Sequence, residues 1–229
     1  MAKRVAIFDL DGTLCTGHIW PGLFKYLKEQ QLNMRHYYRF MVKHLPLWIA
    51  FKSRLLSEQR FVKAWSTGMA TLFKDLDTST GEQIANSIFR DVVLPTIRPE
   101  VMDGLYWHRE KEDLVMLVSS TLQPLLEGVA NNLDLEYVVG SSMEIVSGRY
   151  TGRLAGPLCF GAQKPTQVLK YIQELDINVE WGSSYAYADR IYDQFLLRLV
   201  GHSVAVYPDD ALRAVALKEN WYILDDTNR

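Results

Sequence analysis

The chain has 229 residues, 48% of them apolar and 23% charged, enough for one full-sized core with a smaller unit appended. A net charge of −2 gives no general basic field, so nucleic acid is not an expected partner. Two cysteines, Cys15 and Cys159, are too few for a disulfide framework and suit a reducing, cytoplasmic setting, where Cys15 reads as a small packing residue.

Residues 4–10 form a short apolar run ending in acid, which reads as a buried strand of a parallel sheet. Asp9 and Asp11 interrupt it too early for a signal peptide or a membrane span. From Cys15 to about Arg98 no strand pattern occurs. Helical patterns are expected instead from Pro21 through Glu29, over about 34–56 with a break or kink at Pro46, after Ser57, and around 80–91. Within 35–54, Tyr37, Tyr38, Phe40, Met41, Trp48 and Phe51 alternate with Arg35, Arg39, Lys43, Lys52 and Arg54. This stretch reads either as the buried seam of a helical bundle with basic edges or as a weak membrane-surface or oligomer contact.

After Arg98 the pattern alternates. Strands are expected at 114–118, 137–139, 179–187 and 203–206, and helices at 99–111, 122–132, 164–175 and 190–200. Two alternating runs, 142–146 and 150–154, flank Ser147-Gly148-Arg149 and read as a hairpin. Strand–helix alternation predicts a doubly wound, Rossmann-like α/β core, residues 1–14 and 99–229, with an α-helical cap inserted at 15–98 and the hairpin as a flap.

Four clusters carry chemistry. Asp9-Leu10-Asp11-Gly12-Thr13 puts two carboxylates at a strand end, where open α/β sheets bind ligands, and Gly12 permits a sharp turn. Ser119-Ser120-Thr121 follows a second buried strand and offers either a phosphate seat or a helix cap. Lys164 opens a helical pattern and is placed to neutralise phosphate. Asp189 and Asp193, four apart, would share a face of a starting helix and offer hard oxygen ligands suited to Mg²⁺.

In this order the clusters resemble the haloacid dehalogenase-like hydrolase superfamily, and within it the phosphoserine-phosphatase-like branch of subfamily IB, which carries a helical cap between its first two motifs. The resemblance covers the whole chain, including Leu199–Asp209 and the ending around Asn220-Trp221. It implies a Mg²⁺-dependent phosphatase acting on a small phosphorylated metabolite. Asp9 would be the nucleophile, Asp11 the general acid and base, and Ser119, Ser120 and Lys164 the phosphate holders. Asp9, Asp189 and the backbone carbonyl of Asp11 would hold the metal, with Asp193 supporting its water shell or positioning Lys164. A phosphotransferase or phosphomutase using the same intermediate, or a binding module on this fold, are the alternatives. Dehalogenation has no use for Asp11, Asp189 or the metal.

Two positions depart from the branch. Arg190 replaces a small residue after Asp189, and either points away or enters the site. Residues 15–20 lack the glutamate that holds the amine of phosphoserine, with His18 near that place. Phosphoserine is therefore a poor candidate substrate; His18 and Trp20 favour a bulkier or aromatic leaving group.

Overall fold

The structure, a computed structural model, describes residues 2–226. β1 (Val5–Phe8) leads through four helices, α1 (Ile19–Glu29), α2 (Met34–Lys52), α3 (Glu58–Met69) and α4 (Thr78–Ile88), before α5 (Pro99–Glu110) and β2 (Leu114–Leu122). Then come α6 (Gln123–Asn132), β3 (Tyr137–Ser141), the hairpin β4 (Met143–Val146) and β5 (Arg149–Leu154), and α7 (Gln163–Glu174). β6 (Tyr185–Ala188), α8 (Gln194–Leu197), β7 (His202–Val206), α9 (Asp210–Glu219) and β8 (Tyr222–Leu224) complete the order.

Six parallel strands line up as β3-β2-β1-β6-β7-β8, so the connections run outward from β1 in one half and from β6 in the other. The carboxyl ends of these two neighbours form the crevice where such sheets bind ligands. β1 explains the arrangement locally. Successive side chains point to opposite faces, and all four are fully buried. Ala6 and Phe8 join Val101, Leu105 and Leu126 on one face; Val5 and Ile7 join Val168, Ile172 and Leu212 on the other.

The first of these clusters also takes in Leu23, Phe40, Leu72 and Ile84, so the helical segment between β1 and β2 packs directly on the sheet's own helices. α4 crosses α6 at Gly128, where a β-carbon would collide with the side chain of Ala85. The hairpin forms where it is expected. Its strand β5 is stitched to the helical segment: Asp75 N–H donates to the Tyr150 carbonyl (2.8 Å) and Tyr150 N–H to the Leu76 carbonyl (2.9 Å).

Four expectations need correction. β2 runs on through Ser119, Ser120 and Thr121 instead of ending before them, with a register shift against β3 between Val118 and Leu122. The strand expected at 179–187 shrinks to Tyr185–Ala188, preceded by a bridge from Val179 to Lys3 and a 3₁₀ turn at Trp181–Ser183. The helix expected at 190–200 is a 3₁₀ turn, Ile191–Asp193, followed by the single turn of α8. Asp209 accounts for this: its carboxylate accepts the Ile191 N–H (3.2 Å) and its own N–H bonds the Asp189 carbonyl (2.9 Å). Finally, Pro46 does not break α2, which runs as one helix from Met34 to Lys52, so of the break or kink expected there the break is ruled out.

Candidate active site

Asp9 follows β1 directly, and its N–H donates to the Tyr187 carbonyl of β6 (3.0 Å), tying the two central strands together at the crevice. The chain then turns tightly: Leu14 N–H returns to the Asp9 carbonyl (3.3 Å) and Gly12 N–H reaches the Cys15 carbonyl (2.7 Å). Gly12 has φ +90°, and a β-carbon there would strike the Asp189 carboxylate. Backbone conformation and close approach both call for glycine.

Asp9, Asp189 and Asp193 are buried, and one carboxylate oxygen from each lies within 4.8 Å of the others. Asp189 thus reaches the cluster from the loop after β6, and Asp193 from the 3₁₀ turn, without the shared helix face expected for them. One cation serves this group. Lys164, buried in the first turn of α7, donates through Nζ to Asp9 Oδ1 (2.7 Å) and pairs with Asp193 Oδ1 (2.7 Å). Thr13 donates its hydroxyl to Asp189 Oδ1 (3.2 Å).

The charges are strongly interdependent. Burial pushes the Asp189 carboxyl up to about 8, with Asp9 and Asp193 adding to the effect. Burial also raises Asp193 to about 6 although Lys164 pulls the other way. Asp9 is raised by burial against the opposing pull of Lys164. Burial disfavours the Lys164 ammonium, but Asp193 and Asp9 more than offset it and hold the group protonated. Three buried carboxylates facing one ammonium form a site with room for more positive charge. An all-oxygen, hard donor set of this kind fits Mg²⁺.

The Asp11 carboxylate turns away from that cluster. Oδ1 accepts the N–H of Ile19 at the start of α1 (2.9 Å), and Oδ2 accepts the Thr121 hydroxyl (3.2 Å). Burial raises its pKa, partly countered by the Ile19 bond and the neighbouring His18. Burial favours the protonated form and the two donated bonds the charged one, a balance suited to a group that gives and takes a proton.

A cavity of about 450 Å³ opens above these acids. Ser119, Ser120, His18, Lys164 and Arg190 all line it, so every residue singled out from the sequence reaches one place. Ser119 is buried, with Oγ accepting the Thr121 N–H (3.2 Å); the N-cap position of α6 falls on Leu122, with no side-chain capping bond, and not on the serine cluster. His18 is exposed at the N-cap of α1. The far walls are Trp20, Phe51, Phe61, Trp65 and Met69 from the helical segment, and Phe160 and Tyr192 from the core. Hairpin residues 142–154 do not line it, because Tyr150 is engaged with Phe73 and Gly81 instead.

The family model for haloacid dehalogenase-like hydrolases matches residues 6–198, a span that includes all four acidic, hydroxyl and lysine clusters. The chain belongs to this family. A relative, the histidinol-phosphatase of Neisseria meningitidis serogroup C, is 27% identical over 97% of this chain and 99% of its own. The phosphoserine phosphatase of Mycobacterium tuberculosis is 27% identical over 96% of this chain and 70% of its own. Among solved structures, a Bordetella pertussis protein of unknown function superposes with TM-score 0.81 at 23% identity, covering 98% and 99% of the two chains. A phospho-aspartyl intermediate analogue of phosphoserine phosphatase gives 0.59 at 16% identity, covering 98% and 93%. These two likenesses establish the fold.

Within this hydrolase fold, several neighbours of the acids are not legible from motif spacing. Thr13 and Thr121, named within the acidic and serine clusters but given no role of their own, each donate to an acid. Arg98 donates to the Gly12 carbonyl (3.3 Å) and lies 3.9 Å over the Tyr207 ring, bracing the turn from the far end of the helical segment. Arg190 lines the cavity, and its charge acts on Asp189 and Asp193 without a direct bond to either. It pairs with Glu58 at the start of α3 and lies 3.7 Å from Asp209, joining core to helical segment across the cavity rim. Cys15 is buried and its thiol pushed up to about 12 by burial, in keeping with a packing role.

Proposed function

We propose that the protein hydrolyses a small phosphomonoester with Mg²⁺ through an aspartyl-phosphate on Asp9. The carrying observation is the opposed placement of two carboxylates: Asp9 bonded to Lys164, Asp11 bonded to Thr121 and Ile19. A carboxylate oxygen of Asp9 attacks phosphorus and the bond from phosphorus to the ester oxygen breaks. Asp11, whose affinity for a proton is raised by burial, gives its proton to the departing oxygen. Asp11 then takes a proton from water, whose oxygen attacks phosphorus and releases Asp9 with inorganic phosphate. Lys164 and Ser119 hold the non-bridging oxygens as charge builds on them. Mg²⁺, held by Asp9, Asp189 and the Asp11 backbone carbonyl with Asp193 supporting, would neutralise charge between carboxylate and phosphate.

The cavity walls bear on the leaving group. Trp20, Phe61, Trp65 and Met69 suit a flat or apolar body better than serine, whose polar groups would leave these walls unused. Glu58, paired with Arg190, is the carboxylate that the helical segment contributes to the cavity for an amine-bearing substrate. The relatives named as histidinol-phosphatase and phosphoserine phosphatase make both esters first choices, and the walls favour the ring-bearing one.

Phosphate release from phosphoserine, histidinol phosphate, sugar phosphates, phosphocholine and lysophosphatidate, with Mg²⁺ and with chelator, tests the reading. Metal-dependent release that disappears in Asp9→Asn is the expected result. Release that appears only when an alcohol acceptor is added would replace hydrolysis by transfer.

A further inference from the structure

Helix α2 is built to satisfy two surroundings at once. Its inner face, Tyr37, Phe40 and His44, is buried against Phe24 and Trp65, which anchors the helix on the rest of the helical segment. Yet Tyr38, Val42, Leu45 and Ile49 are 60%, 77%, 47% and 51% exposed. Their spacing, i, i+4, i+7 and i+11, draws one stripe along the outer surface.

The charges around the stripe are of one sign. Arg35, Arg39 and Lys43 are exposed along one flank and Lys52 on the other, and residues 34–52 contain no aspartate or glutamate. That bias stands out in a chain whose net charge is −2. At the C-terminal end Lys52 lies 5.8 Å over the ring of Trp48, itself exposed. An indole with an ammonium beside it suits the headgroup layer of a bilayer, where one part of the side chain is apolar and the other wet.

We propose that the outer face of α2 docks on an anionic lipid surface, the helix lying in the plane of the headgroups with its stripe among the upper acyl segments. Charge complementarity selects this occupant. Lipid phosphates supply the negative charge that the helix itself does not carry, and acyl chains accept the stripe. A second copy of the chain is a poorer fit, because pairing α2 with itself sets basic flanks together with no carboxylate on either helix. The helix lies on the surface and does not cross it: among the described residues no helix is long and apolar enough to span a membrane.

The test is co-sedimentation of the full chain with vesicles of phosphatidylcholine alone or with one-third phosphatidylglycerol, at low and high salt. Binding is expected only with the anionic lipid, and it should weaken with salt. Val42→Asp with Ile49→Asp should cut partitioning about tenfold or more, as should Arg39→Glu with Lys43→Glu, since each basic residue near an anionic surface is worth about fivefold. All four positions are solvent-facing and outside the catalytic cavity, so circular dichroism and turnover of a soluble phosphomonoester should match the parent chain. No binding to anionic vesicles would overturn the proposal, as would equal binding to neutral ones or undiminished binding by the variants. A parent chain that is a dimer in solution and that Ile49→Asp dissociates would assign the stripe to a protein contact instead.

Discussion

Lys164→Met removes the one ammonium in the acid cluster while keeping an unbranched side chain of similar length. Asp9 and Asp193 each lose a partner at 2.7 Å in a buried setting. Breaking a buried pair by deleting one member costs about 3–5 kcal/mol, because the remaining charge stays uncompensated. Proton uptake caps the loss. Asp193 stands at about 6 even with Lys164 beside it, so without the lysine it binds a proton at neutral pH instead of staying charged. The expected loss therefore lies at the lower end, about 3 kcal/mol, which for a chain of this size means a fall in Tm of about 6–12 °C. Thermal unfolding in chelator measures it, and the result should be nearly independent of salt because the pair is buried. Saturating Mg²⁺ should raise the Tm of the variant more than that of the parent, since the added charge relieves the same repulsion. A variant within about 2 °C of the parent in chelator would refute the reasoning.

Asp11→Asn should lower turnover by about 10²–10⁴-fold while leaving Tm nearly unchanged, because the asparagine oxygen can still accept the Ile19 N–H while its NH₂ donates to the Thr121 hydroxyl, which turns to accept; steady-state kinetics with calorimetry checks both. Gly12→Ala should weaken Mg²⁺ binding and activity together, as the new methyl displaces the Asp189 carboxylate and φ +90° is strained for alanine; calorimetric titration with Mg²⁺ reads the first effect directly. The pH dependence has a definite sign. In chelator, Asp189 holds a proton up to about 8, whereas its ordinary value is 3.8. Between those values the folded state binds a proton that the unfolded chain has released, so stability falls as pH rises through this window and levels off above it. Asp193 acts in the same direction up to about 6. Tm measured across the window should decline in chelator and hold steady in Mg²⁺; a rise in chelator would contradict the assignment.

Sequence reading picked out the residues that the fold gathers into the acid cluster because their types are costly at those places without a ligand. Two carboxylates at the end of a fully buried strand demand compensation: Asp9 finds it in Lys164, 155 positions away, and Asp11 in the Ile19 N–H and the Thr121 hydroxyl. The sheet was legible for a related reason: strands buried on both faces read as unbroken apolar runs. Less legible were the segments whose backbone is held by side chains. Residues 189–193 have the spacing of a helix, yet Asp209 takes the Ile191 N–H and the turn becomes 3₁₀. Tyr222–Leu224 is too short to stand out as a strand and exists because β7 offers it an edge. The fate of Arg190 was open because its partner Glu58 lies 132 positions earlier, on a helix whose placement no local pattern gives.

The central claim is that Asp9 carries the phosphoryl group. Acid quenching of the enzyme during turnover of a radiolabelled phosphomonoester, followed by peptide mapping, tests it most directly. The account predicts a hydroxylamine-sensitive phosphoryl adduct on the peptide containing Asp9, enriched in Asp11→Asn and absent from Asp9→Asn. Turnover without any such adduct, or with Asp9→Asn as active as the parent, would contradict it.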